Sequence, residues 1–380
     1  MREEVSTSIM EQYSKTQKQE AIPLRRRKFF TLQWHVTAKC FNNCAHCYLK
    51  DPEGYESEIK NELSLSDCFQ IIDDFCTTLK IWNIRGRINF TGGDPLLKDG
   101  VIELIKYAKE RDIEVGILGN GELLTSQTAL ILKEAGVSRY QVSIDGLEET
   151  HDRLRRKGSF RETLRGLRIL KEVGIPSAVM FTVSKENIKK LIPVINLVAK
   201  EEVSIFDFAR LVPIGKGAQF KDELIEPEEY RSLLLKVLEE YRHLKNNGCK
   251  TFFGRKDHLW KLLYKELGLF PPLSIDKETI FSGCSIGNHL IVIVADGTVY
   301  SCRRLPIPIG KFPEQTLREV FIKSEKLNEL RQIEKMEKCS HCELLQYCRG
   351  CPAVAYGFYE SYFAPDPQCW KKYNNLKEKR

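Results

Sequence analysis

From Thr31 to Leu211 the chain alternates, six times over, between short β-like runs and amphipathic helical stretches. The runs are TLQWHVT (31–37), RINF (87–90), EVGIL (114–118), RYQVSI (139–144), SAVMFTV (177–183) and SIFDFARL (204–211). Helical patterns fill the gaps, as in SDCFQIIDDFCTTLK (66–80) and NIKKLIPVINLVAK (187–200). Strands joined by helical crossovers run in one direction, so the pattern predicts an α/β fold: a parallel sheet with helices on one side, a partial (β/α)6 barrel. Residues 225–247 read as a closing helix. The expected organisation is an N-terminal extension over 1–30, the barrel over 31–247, a connector over 248–281 and a small cysteine-rich domain over 282–380.

In such barrels the chemistry gathers at the C-terminal ends of the strands. The polar motifs obey that rule. Cys40, Cys44 and Cys47 follow the first run, Gly92-Gly93-Asp94-Pro95 the second and Asn120-Gly121 the third. Ser143 and Asp145 end the fourth run, Thr182 the fifth and Arg210 the sixth. All are predicted to share one rim.

No stretch approaches the roughly 18 consecutive apolar residues of a membrane span. The polar N-terminus, MREEVSTSIMEQYSKTQKQE, does not read as a signal peptide, and a cytoplasmic protein is expected. In a reducing compartment, thirteen cysteines point to metal ligation more than to disulfides. The formal charge of +7 does not imply nucleic-acid binding, since anionic metal–thiolate groups on these cysteines would lower it to roughly +3. The run Arg25-Arg26-Arg27-Lys28 reads as a solvated lead-in to the first strand.

In TAKCFNNCAHCYLKD the spacing C-x3-C-x2-C can wrap three corners of a four-iron cubane and leave one iron open. The competing reading is a zinc knuckle with His46 as fourth ligand, although His46 lies awkwardly between two of the others. This segment, with Tyr48 beside the last cysteine, resembles the signature of the radical S-adenosylmethionine (SAM) superfamily. The resemblance implies a [4Fe-4S] cluster on Cys40, Cys44 and Cys47 whose open iron chelates SAM. It also implies reductive cleavage of SAM to a 5′-deoxyadenosyl radical that abstracts hydrogen from a substrate, and a donor such as flavodoxin or ferredoxin to supply the electron. Gly92-Gly93-Asp94-Pro95 resembles the family's Gly-Gly-Glu-Pro stretch, with Asp in place of Glu. Tyr48, Asn120, Ser143, Asp145, Arg155, Thr182 and Arg210 are the other expected cofactor contacts on the rim. Arg155 suits a carboxylate, since its guanidinium binds both oxygens; as a plain surface arginine it would have no such role. Arg210 either points into the rim or caps its strand.

Towards the C-terminus stand Cys284, then Gly297 and Cys302, then Cys339, Cys342, Cys348 and Cys351, and finally Cys369. IVIVADGTVYSC reads as a hairpin turning at Asp296-Gly297, which delivers Cys302 beside Cys284. Paired C-x2-C motifs alone would also allow zinc ribbons. The set resembles the SPASM extension of radical SAM maturases, departing from it where two residues, not three, separate Cys348 from Cys351. By that resemblance Cys339, Cys342, Cys348 and Cys369 hold one auxiliary [4Fe-4S] cluster, and Cys284, Cys302 and Cys351 hold another. The second set lacks a fourth cysteine, so either Cys249 folds back or one iron stays open.

The resemblance favours modification of a peptide or protein, with thioether or other crosslinking foremost because an open iron could bind a substrate thiolate. A leader peptide would have to bind elsewhere, since only about 30 residues precede the first strand. The sulfatase-maturing branch carries an Asp after the second SPASM cysteine, where Arg303 and then Arg304 stand here. The alternative is a small molecule or tetrapyrrole, whose propionates Arg303 and Arg304 could pair, as in haem-pathway decarboxylation. A non-catalytic electron carrier is the reading from another class.

Overall fold

The computed structural model describes residues 29–50, 55–276 and 279–372. The Arg25–Lys28 run and most of the expected N-terminal extension lie outside them.

Strand β1, Phe29–Thr37, shows why this sheet folds as it does. Its alternate residues Leu32, Trp34 and Val36 enter the apolar core, where Trp34 meets Phe90 at 5.5 Å between ring centroids. The intervening Gln33, His35 and Thr37 are polar yet buried, so the inner face of the sheet is a polar interior under cover. The helix Leu65–Trp82 packs outside. Ser64 caps it through a reciprocal bond with Asp67, and Asn83 ends it in the left-handed conformation at φ 49°.

β1 pairs in parallel with β2 (Arg85–Gly92), and the order continues through β3 (Glu114–Leu118), β4 (Arg139–Ser143), β5 (Ser177–Val183) and β6 (Ile205–Arg210). These are the six predicted units, in the predicted order. The closing helix is Pro227–Asn246.

The sheet extends beyond those six strands. Within the expected connector, β7 (Phe252–Phe253) adds to β6 at one edge. At the other edge β8 (Leu290–Ile293) pairs in parallel with β1, Thr31 opposite Leu290 and Trp34 opposite Ile293. The predicted hairpin then follows: β9 (Thr298–Cys302) is antiparallel to β8, and β10 (Leu305–Lys311) to β9. Gly297 takes φ +85° at the turn, and Asp296 accepts from the backbone N–H of Thr298 at 2.9 Å. The result is one open sheet in the order β10-β9-β8-β1-β2-β3-β4-β5-β6-β7. Among the described residues no helix is long and apolar enough to cross a membrane.

Candidate functional site

The loop after β1 carries Cys40, Cys44 and Cys47, and hydrogen bonds that bypass the sulfurs fix its course. Glu62 accepts from the Thr37 hydroxyl at 2.5 Å and from the Ala38 N–H at 3.0 Å. Asn42 donates to Glu122 at 2.6 Å and accepts from Arg156 at 3.1 Å. The loop after β2 is zipped on from the other side: Gly93 N–H donates to the Thr37 carbonyl at 2.9 Å, and Asp94 N–H to that of Lys39 at 2.8 Å. A Cβ on Gly93 would stand 2.1 Å from the Lys39 carbonyl oxygen, so this approach needs glycine. Gly93→Ala should therefore push the two loops apart. We expect a lower iron content on anaerobic reconstitution, with the fall confined to the site on Cys40, Cys44 and Cys47.

His46 Nε2 lies 3.2 Å from Asp145 Oδ2. Asp145 is wholly buried and gathers three partners: His46, Arg155 Nε at 2.6 Å and the backbone N–H of Thr182 at 2.7 Å. Burial alone would push its carboxyl up, but Arg155 and His46 outweigh that and hold it well below the usual range. So fixed, Arg155 lays NH1 3.8 Å from Cys44 Sγ. Asn120 places its amide nitrogen 3.7 Å from Cys40 Sγ. Burial pushes the Cys40 thiol up to about 11, and the Cys44 thiol is also raised by burial, despite Arg155.

Beside these thiols opens a cavity that communicates with solvent. Tyr48, Gly92, Gly93, Asn120, Ser143, Arg155, Thr182 and Arg210 all line it. Two other expected contacts stand behind its wall. Asp145 supports Arg155 as described, and Asp94 turns to the backbone N–H of Leu96 (3.0 Å) and the Asn120 amide (2.9 Å). Its shorter side chain caps the 3₁₀ turn Pro95–Leu97 and sets the asparagine beside Cys40. Arg210 is buried and already engaged, by Asp257 at 2.8 Å, by both oxygens of Asp366 at 2.6 and 2.8 Å, and by Gln368 at 2.8 Å. It ties the end of β6 to the C-terminal domain. Arg303, Arg304 and Lys256 also line the cavity, the last a residue that motif reasoning passed over.

The remaining cysteines assemble in the two expected sets. Burial raises the Cys339 thiol, and its neighbours Cys348, Cys369 and Cys342 raise it further. Burial, then Cys351 and Cys302, pushes Cys284 up to about 12. Cys249 is not among the thiols that bear on Cys284; it packs against the core at the end of the helix Pro227–Asn246. Buried thiols this mutually unfavourable suit a cationic iron core that stabilises them as thiolates. Among the described residues no group of three or more His, Cys, Asp or Glu side chains is placed to hold a single metal ion.

Residues 34–198 match the radical SAM superfamily, and residues 284–352 match the SPASM iron–sulfur cluster-binding domain. This chain belongs to the radical SAM superfamily. An AdoMet-dependent heme synthase of Oleidesulfovibrio alaskensis is 31% identical to it over 347 residues, covering 89% of this chain and 86% of the relative. An Fe-coproporphyrin III synthase of Methanosarcina barkeri is 29% identical over 358 residues, with coverages of 89% and 86%. A mycofactocin maturase of Mycolicibacterium smegmatis is 28% identical over 352 residues, with coverages of 89% and 82%. Among solved structures, Streptococcus suis SuiB bound to S-adenosylmethionine superposes with a TM-score of 0.71, covering 90% of this chain and 77% of that one. At 17% identity that likeness shows the shared fold. This radical SAM enzyme thus carries an iron–sulfur SPASM domain behind its barrel, as the cysteine spacing led us to expect.

Proposed function

We propose that this radical SAM enzyme modifies a tetrapyrrole at a propionate side chain. The observation that carries the reading is the cationic part of the cavity lining: Lys256, Arg303 and Arg304 all contribute to it. Among the described residues none of the three has a carboxylate in ion-pair range. Three cations that line one open cavity without a carboxylate partner suit an anionic substrate. The relatives named for heme and Fe-coproporphyrin III synthesis support it over nine-tenths of the chain. Peptide crosslinking through a substrate thiolate, foremost in the sequence reading, yields to its alternative, because nothing in the cavity wall favours a thiolate over a carboxylate.

Cys40, Cys44 and Cys47 would hold the cluster that binds SAM, with Cys339, Cys342, Cys348 and Cys369, and Cys284, Cys302 and Cys351, holding the auxiliary pair. With SAM bound, the first cluster supplies a 5′-deoxyadenosyl radical that takes a hydrogen atom from the substrate. The chain's own groups orient and insulate. Asn120 and Arg155 donate towards the sulfurs of Cys40 and Cys44, which favours a more reduced cluster. Tyr48, Ser143 and Thr182 line the cavity together with the thiols and the cations. Anaerobically reconstituted enzyme, given SAM and reductant, should form 5′-deoxyadenosine faster when an iron porphyrin bearing propionates is added, and the porphyrin should change in mass. Stimulation by a cysteine-containing peptide and not by any porphyrin would restore the peptide reading.

A further inference from the structure

Asp207 of β6 sits on the inner face of the sheet, between the core residues Phe206 and Phe208. The chain passes it again just after β7. There Asp207 Oδ1 accepts from the backbone N–H of Lys256 at 3.0 Å, and also from that of Phe208 at 3.0 Å. Oδ2 fills the space where residue 254 would carry a side chain: a Cβ on Gly254 would stand 2.1 Å from it. The carboxylate therefore fixes the segment 254–256, and the Lys256 side chain enters the cavity.

The charged groups that bear on the Lys256 ammonium come from three places. Asp207 lies below it on β6, Arg139 on β4, and Arg303 and Arg304 on the turn after β9. Three of these four are cations. Arg303 lies over the Tyr48 ring at 5.3 Å, and the Gln33 amide, turned so that its oxygen faces NH1 at 2.8 Å, accepts from it. Like charges gathered together repel each other, and an anion placed between them relieves that repulsion; of the three, Arg304 is also drawn by Cys351 and Cys302.

We propose that Lys256, Arg303 and Arg304 form the substrate's carboxylate-binding site, with Lys256, placed by Asp207 and Gly254, as the member that sets affinity. The inference rests on the proposed anionic substrate and adds the residues that hold it. It also predicts a pH signature. Enclosure within the cavity, and next Arg303, holds the Lys256 ammonium down to about 7, although the cavity opens to solvent and leaves the residue exposed. A carboxylate binds the protonated form, so affinity is full below that value and falls as pH rises through it.

The test uses anaerobically reconstituted full-length enzyme and two probes. One is iron coproporphyrin III, a tetracarboxylate, followed by its Soret absorbance. The other is glutarate, followed by its protection of Lys256 from an amine-reactive reagent, read by peptide mass spectrometry. Wild type should bind the porphyrin, and more weakly above pH about 7. Lys256→Met should weaken binding roughly tenfold to a hundredfold at neutral or lower pH, the range of a lost charge-assisted hydrogen bond. Lys256→Arg should keep the affinity and abolish the pH dependence, since guanidinium does not titrate there. Gly254→Ala should weaken binding in the same direction as Lys256→Met. If Lys256→Met binds the porphyrin as wild type does, the inference falls and the tetrapyrrole reading stands. If wild type ignores the porphyrin while glutarate still protects Lys256, the tetrapyrrole reading falls and the carboxylate site stands. If neither probe registers, both are overturned.

Discussion

Replacing Cys40, Cys44 and Cys47 together by alanine is expected to abolish SAM cleavage while about seven or eight irons remain per chain, from two auxiliary clusters. The separation is expected because the loop keeps its course without its sulfurs. Glu62, Asn42, His46 and the backbone of Gly93 and Asp94 hold it through bonds to main chain and to other side chains. The auxiliary thiols lie on segments fixed independently; Gly350 N–H, for example, lies 3.5 Å from Cys348 Sγ. Iron and sulfide analysis of the anaerobic triple variant, with chromatography of 5′-deoxyadenosine, measures both halves. Iron near zero, or undiminished 5′-deoxyadenosine, would reject the assignment.

Arg210→Met should cost about 3–5 kcal/mol of stability, the range for removing one partner from a buried ion pair. Asp257 and Asp366 would each keep a buried carboxylate with its counter-charge gone. Burial pushes the Asp257 carboxyl up, yet Arg210 prevails and holds it below its ordinary value. The tie is thus fully formed above the ordinary carboxylate pKa, and is lost only as pH falls below that range. Asp366 also accepts from the backbone N–H of Cys351 at 2.8 Å and of Gln368 at 3.0 Å, next to Cys369. Auxiliary iron should therefore leave before the iron on the first loop. Urea unfolding under anaerobic conditions, with iron counted along the transition, reads both effects. A variant as stable as wild type, with full auxiliary iron, would show that the network carries no such load.

The order of the six strand–helix units and the single rim were legible because both rest on local signals, apolar period and cysteine spacing. The hairpin at Asp296-Gly297 was legible for the same reason. The pairing of β8 with β1 was not: the partners lie far apart in sequence, and no residue in either announces the other. β7, two residues long, falls below what periodicity can register. Arg210 and Asp145 were identified as rim residues, but their partners come from distant segments, so one proved a tie between domains and the other a support for Arg155. Lys256 carried no motif at all, and only the fold brings it beside Arg303. The substrate was the least legible element, since cluster motifs specify how a radical is made and are silent on what receives it.

Because β8 hydrogen-bonds to the strand that leads into Cys40, the barrel and the SPASM domain share one backbone ladder. A barrel expressed without the C-terminal part would bare the edge of β1 along Thr31–Trp34, where Leu32, Gln33 and Trp34 are buried here. Unpaired apolar edges recruit other chains, so such a truncation should come out of the cell as aggregate, not as a half-active enzyme. The two halves also cannot swing apart to admit a substrate without tearing the sheet. The shared ladder thus couples the position of the first cysteine set to that of the auxiliary sets.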